Sequence, residues 1–157
     1  MKSVTLDTGA LIALERGSRR MIALLEVARD SCASIAVPAC VVAQAWQGGL
    51  RQARIARLLR APVTEVVPLD DLGARAVGVL CGRASTADIT DASVVLCARG
   101  RRHGIVTTDP EDLRQIDGDI PLFSPDWQPV GEKGRTAEIV PASTGGRHLR
   151  RPRRSGW

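Results

Sequence analysis

The sequence predicts an α/β fold in which helices cover both faces of a central parallel sheet of four to five strands. Short β-branched runs alternate with helical patterns in the order β-α-α-β-α-α-β-α-α-β-α-β, the alternation a parallel sheet requires. The 157 residues are enough for one ordinary domain. The first strand breaks at Asp7-Thr8-Gly9 and feeds a helix, and open α/β sheets place their ligands at such junctions.

The first strand spans Lys2 to Leu6, and helical spacing follows from about Ala10 to Glu15. A second helix runs from Ser18, its N-cap, to Arg29, because Met21, Leu24, Leu25 and Ala28 recur on one face. Ser34 to Val37 is a short strand ended by Pro38, and Ala39 to Gln47 is a helix closed by Gly48-Gly49. Leu50 to Arg60 is helical, with Ile55, Leu58 and Leu59 inward, and Pro62 stops it. Val63 to Leu69 is a β-branched strand. Asp70 or Asp71 caps a helix that reaches about Leu80 and ends at Gly82. Thr86 to Asp91 opens a helix through Arg102, and Gly104 to Thr108 is a strand. Asp109-Pro110 starts a short helix, and Pro121 to Phe123 is the last strand. Right-handed crossovers restrict the topology, and the strand order 3-2-1-4-5 satisfies them. In that order Asp7 and Asp109 end neighbouring strands at the point where the winding reverses.

Composition narrows the class. At 44% apolar and 25% charged this is ordinary globular material. The net charge of +5 belongs to one end. Residues 1–131 balance 15 Lys+Arg against as many Asp+Glu, whereas residues 132–157 carry seven basic residues against Glu132 and Glu138. Those last residues lack periodicity and read as a basic, disordered tail behind a 1–131 domain. Cys32, Cys40, Cys81 and Cys97 have neither CxxC nor zinc spacing, and read as buried free thiols in a reducing compartment. No signal peptide or membrane-length apolar run is visible, so a cytoplasmic protein is expected.

Five acids stand out, and each has a bland alternative. Asp7 could be a turn or cap residue, and Asp109 before Pro110 an N-cap. Asp112 could serve the dipole of its helix, and Asp88 and Asp91 could be a cap and a first-turn acid. Against that, Asp91 leads straight into the apolar run Ala92-Ser93-Val94-Val95-Leu96. A carboxylate near a buried face is costly unless a cation or firm hydrogen bonds answer it. Acids that converge without basic partners repel, and Mg²⁺ or Mn²⁺ suits an all-oxygen site open to water and phosphate. Metal-dependent phosphodiester hydrolysis is the reaction class these residues suggest.

Val4-Thr5-Leu6-Asp7-Thr8, Asp91-Ala92-Ser93-Val94-Val95 and Ile105-Val106-Thr107-Thr108-Asp109 together resemble a PIN-domain ribonuclease, specifically a VapC-like toxin. The resemblance spans roughly residues 1–127. It implies a three-layer, Rossmann-like α/β/α fold, Mg²⁺-dependent cleavage of structured RNA, a homodimer and neutralisation by a small antitoxin. It places Asp7, Asp91 and Asp109 on metal-binding acids, with Asp88 as an added acid and Asp112 as a further neighbour. There are two departures. Gln44 stands where such proteins usually carry Glu, and Gly9 where a small hydroxyl residue is common. Gln44 could coordinate or bond water but adds no charge, and Asp88 would make up the deficit. If it does not, the chain is a weak or inactive RNA-binding module.

Leu6-Asp7-Thr8-Gly9-Ala10 also matches an aspartic-protease signature, but those enzymes are all-β and pair two such copies. The row Arg51, Arg54, Arg57 and Arg60 reads first as a solvated helix face and second as an RNA-phosphate or antitoxin contact. Arg99, Arg101, Arg102 and His103 carry the same second reading more weakly, as do the arginines of the tail. Trp46 and Trp127 read as core or dimer-interface anchors.

Overall fold

The computed structural model describes residues 2–49 and 52–125; Arg51, Trp127 and the expected tail over 132–157 lie outside the described residues. The elements are β1 (Val4–Leu6), α1 (Thr8–Glu15), α2 (Arg19–Asp30), β2 (Ile35–Pro38), α3 (Ala39–Ala45), α4 (Ala53–Leu59) and β3 (Thr64–Val67). They continue as α5 (Asp71–Ala84), α6 (Ile89–Arg101), β4 (Gly104–Val106), α7 (Pro110–Ile116) and β5 (Leu122–Phe123). The five strands form one sheet in the order β3-β2-β1-β4-β5, and every pairing is parallel.

The central strands are short and buried along their length, as strands covered on both faces must be. Val4, Leu6, Ile35, Val37, Ile105 and Val106 supply their core side chains. The edge strand β3 is only partly covered. Two groups of helices pack around the sheet: α1 contacts α2, α3 and α4, while α5, α6 and α7 contact one another. The helix α6 also lies against β1, β2 and β4, and buries Ala92, Val94, Val95 and Ala98 there. Because the winding reverses between β1 and β4, right-handed crossovers send the two groups to opposite faces. An all-parallel α/β sheet excludes the aspartic-protease reading.

Several boundaries differ from the sequence expectation for physical reasons. The helix α1 begins at Thr8, two residues early, because Asp7 caps it. The helix α3 stops at Ala45, before Gln47. The helix α5 runs through Gly82 to Ala84 and ends at Ser85, whose φ of 53° lies in the left-handed region. A single glycine costs only about 1 kcal/mol inside a helix, less than the packing of Val77, Leu80 and Cys81 against the core supplies. The thiols are not uniformly buried: Cys81 is, Cys40 and Cys97 are half-buried, and Cys32 is exposed; all four are free. Trp46 is 46% exposed and anchors no core. No helix among the described residues is long and apolar enough to cross a membrane.

His103 is a core residue rather than an RNA contact. It is buried, with Nδ1 at 3.3 Å from the Thr5 hydroxyl and Nε2 at 3.3 Å from that of Ser34. Burial, aided by the Arg101 charge, holds its pKa below the ordinary histidine value. Arg99 pairs with Asp117 at 2.6 Å and Arg101 with Glu65 at 2.7 Å, so these guanidiniums are engaged within the protein.

At Gly104 the Phe123 ring occupies the place a Cβ would take. Gly104→Ala overpacks the β4–β5 pair and is expected to cost about 1–3 kcal/mol, read from the denaturant midpoint. An unchanged midpoint would mean the ring moves aside freely.

Candidate functional site

Asp7 follows β1 at the C-terminal edge of the sheet. Its backbone N–H donates to Val106 O, so Asp7 still lies alongside β4. Its Oδ1 accepts the Ala10 N–H at 2.6 Å and caps α1, and the residue is 7% exposed. Burial raises its pKa and the Asp109 charge adds to the rise, while the Thr107 hydroxyl and the Ala10 N–H oppose it.

Asp109 reaches the same edge from β4. The pairing Leu6↔Val106 sets the two strand ends level, and the turn is fixed by the buried Thr107. The Thr107 hydroxyl accepts from the Asp109 N–H at 2.9 Å and donates to the Asp109 carbonyl at 3.0 Å. Asp109 stands at the N-cap position of α7 with Pro110 behind it, yet its side chain makes no capping bond. The carboxylate is thus left exposed and uncommitted, contrary to the cap reading. Gly9 lets the Thr108 side chain fill the space a Cβ would occupy beside Asp7.

The third contribution comes from the start of α6. Asp88 caps the helix, its Oδ1 accepting the Asp91 N–H at 2.9 Å, and is exposed. Asp91, one turn in, is half-buried. Burial first, and then the charges of Asp88, Asp7, Asp112 and Asp109, push its pKa up to about 6. Asp91 is therefore within electrostatic reach of four other carboxylates, which come from the ends of β1 and β4 and the starts of α6 and α7, and Asp7 is within reach of Asp109. Among the described residues no ion pair reaches any of them. Gln44, near the end of α3, touches the rim: the Thr8 hydroxyl donates to its Oε1 at 2.6 Å.

Arg54 and Arg57 are not part of this crevice. They line a separate groove with Leu14, Ile22, Leu25 and Arg29, where Arg54 donates to the Glu15 carbonyl at 3.0 Å. Sequence reasoning missed Thr107 and Thr8. Their signals were local: a Thr two residues before Asp109, and a hydroxyl directly after Asp7.

The donor chemistry suits a hard divalent cation, being all oxygen, anionic and without basic partners. Among the described residues, however, no three acidic, histidine or cysteine side chains close into a group that could hold a metal ion. Mg²⁺ keeps several waters and is commonly held by one or two carboxylates plus substrate phosphate, so a loose acidic crevice is compatible with it.

No family model matches the sequence, and no curated protein does either. Solved structures do. A toxin–antitoxin complex from Klebsiella pneumoniae superposes with a TM-score of 0.59 at 19% identity, covering 78% of this chain and 98% of that one. FitAB bound to an IR36 DNA fragment gives 0.57 at 17% identity over 82% and 99%. FitAcB from Neisseria gonorrhoeae gives 0.52 at 17% identity over 78% and 97%. At such identities the likeness establishes the fold, which is PIN-like: a five-stranded parallel sheet in the order 3-2-1-4-5.

The raised pKa of Asp91 has a stability consequence. The folded state holds that proton up to about 6, whereas the unfolded chain releases it near 3.8. Folding therefore takes up a proton between those values, and stability falls as pH rises through that window. In metal-free buffer the urea midpoint should drop between 3.8 and about 6, and Asp91→Asn should flatten the drop. Identical pH profiles for the two proteins would show that neither burial nor the other acids raise the Asp91 pKa in the folded state.

Proposed function

We propose that this chain is a Mg²⁺-dependent (or Mn²⁺-dependent) endoribonuclease, the toxin of a toxin–antitoxin pair acting in the cytoplasm. The observation that carries the reading is the gathering of Asp7, Asp88, Asp91, Asp109 and Asp112 with no ion-pair partner among the described residues. Such a site repels itself unless a cation joins it. Asp7, Asp91 and Asp109 would hold the ion, Asp88 would add charge from the helix start, and Asp112 would be an additional ligand. When bound, the cation supplies charge for the phosphate and acidifies water at neutral pH. Asp7 would keep its orientation through Ala10 N–H, and Thr107 would fix the turn that aims Asp109. Asp91, with a pKa of about 6, gives up its proton readily once positive charge arrives. The resemblance implies 5′-phosphate and 3′-hydroxyl ends.

The toxin role is supported by the shared fold with the Klebsiella toxin–antitoxin complex and with FitAB. A homodimer is supported by exposed apolar side chains on α5 and its flanks, among them Leu72 at 77% and Val79 at 56%. Arg54 and Arg57, on the rim of an apolar groove, suit an antitoxin segment or RNA phosphate. Two features favour a second reading, a catalytically weak RNA-binding module. They are Gln44 in place of an acid and the lack of a closed three-acid group among the described residues.

Incubation of an RNA mixture with the protein separates the two readings. Cleavage should require Mg²⁺ and should fall at least about a hundredfold in Asp7→Asn, the scale of losing one electrostatic group from an active site. Asparagine caps helices as well as aspartate does, so α1 should survive the change. RNA bound equally by both proteins and cut by neither would leave the binding module.

A further inference from the structure

Gln44 is the point at which this chain parts from the acidic pattern around it, and its surroundings say what the amide can do. It lies in the last turn of α3, which packs against α1. The Thr8 hydroxyl, one residue after Asp7, donates its single proton to Gln44 Oε1 at 2.6 Å. That bond uses one of the carbonyl's two lone pairs and draws density from the other, which weakens it as a cation ligand. The Nε2 edge carries two N–H donors, has no hydrogen-bond partner among the described residues and sits on an exposed side chain.

We infer that Gln44 is a neutral hydrogen-bond donor to a phosphate oxygen of the RNA backbone, positioned by Thr8, and not a ligand of the cation. The inference rests on the nuclease reading above. A phosphodiester entering a crevice of five carboxylates meets repulsion, and Arg99 and Arg101, at the far end of α6, are committed to Asp117 and Glu65. A carboxylate at position 44 would add to that repulsion. An amide supplies two N–H donors at no cost in charge. The substrate class this favours is a phosphate-bearing polyanion whose backbone passes along the α1–α3 rim.

Two affinities separate a donor from a ligand. Mn²⁺ binding to the full chain is measured by calorimetry without RNA. Binding of a fluorescein-labelled RNA stem-loop is measured by anisotropy in Ca²⁺. Gln44→Met keeps the length and removes the donors. It should leave Mn²⁺ affinity within about twofold and weaken RNA binding about tenfold, the scale of one hydrogen bond to a charged group. Gln44→Glu should tighten Mn²⁺ and weaken RNA further. Thr8→Val should weaken RNA in the same direction, and the double variant with Gln44→Met should be no worse than Gln44→Met alone, since the two side chains act as one unit. A tenfold loss of Mn²⁺ affinity in Gln44→Met, or unchanged RNA affinity, overturns the inference. Additive losses in the double variant overturn the role of Thr8. RNA cutting by the wild type in Mg²⁺ is scored separately: absence of cutting counts against the nuclease, while the affinity ratios still decide Gln44.

Discussion

Everything at the site depends on the parallel pairing of β1 with β4. Three register contacts, Val4↔Gly104, Thr5↔Ile105 and Leu6↔Val106, join segments about a hundred residues apart in sequence and set their C-terminal ends level. Asp7 and Asp109 then emerge side by side without any attraction between them. The sheet forces the approach, and hydrophobic burial of Val4, Leu6, Ile105 and Val106 offsets what the carboxylates oppose. A slip of one residue in this ladder would exchange side chains between the two covered faces and put the strand ends out of level, so the register is specified. The local device is hydrogen bonding: Ala10 N–H holds one acid, and the Thr107 hydroxyl shapes the turn of the other.

The helix α6 adds a different tension. Its apolar face must lie on the sheet, and that places its first turn at the acidic edge. Asp88 is exposed and can serve as a cap at little cost. Asp91 is drawn inward by the burial of Ala92, Val94 and Val95, into the field of four other carboxylates. A fold that holds such a group is less stable than it could be, and local destabilisation of this kind is characteristic of sites with a task.

Much of this was legible in the sequence because parallel sheets leave a period-2 or continuous apolar trace and because Gly and Pro punctuate it. The strand order was one of those that handedness allows, and the candidate acids stood out from their positions at element ends. What the sequence hid was the choice between two local roles for one side chain. Asp7 does cap α1, whereas Asp109, with a stronger sequence signature for capping, does not. At Asp109 the Thr107 hydroxyl bonds the backbone N–H and carbonyl and shapes the turn, a local competitor that the Asp-Pro signature conceals. Likewise Gly82 reads as a helix stop yet lies inside α5, since packing outweighs its propensity. Cys32 reads as a buried thiol, but it lies in the loop after α2 with a left-handed φ of 50° and faces solvent.

His103 points to how the molecule divides its labour. The imidazole stands between β1 and the residue before β2 and leads into β4, touching Thr5 and Ser34 through neutral hydroxyls. It fastens the three middle strands near the end opposite the acids. One margin of the sheet is fastened by neutral hydroxyls beside a paired charge, Arg101 with Glu65, and the other is left under unpaired electrostatic load. Changes at the first margin should be felt as loss of the fold, and changes at the second as loss of affinity for whatever relieves the load.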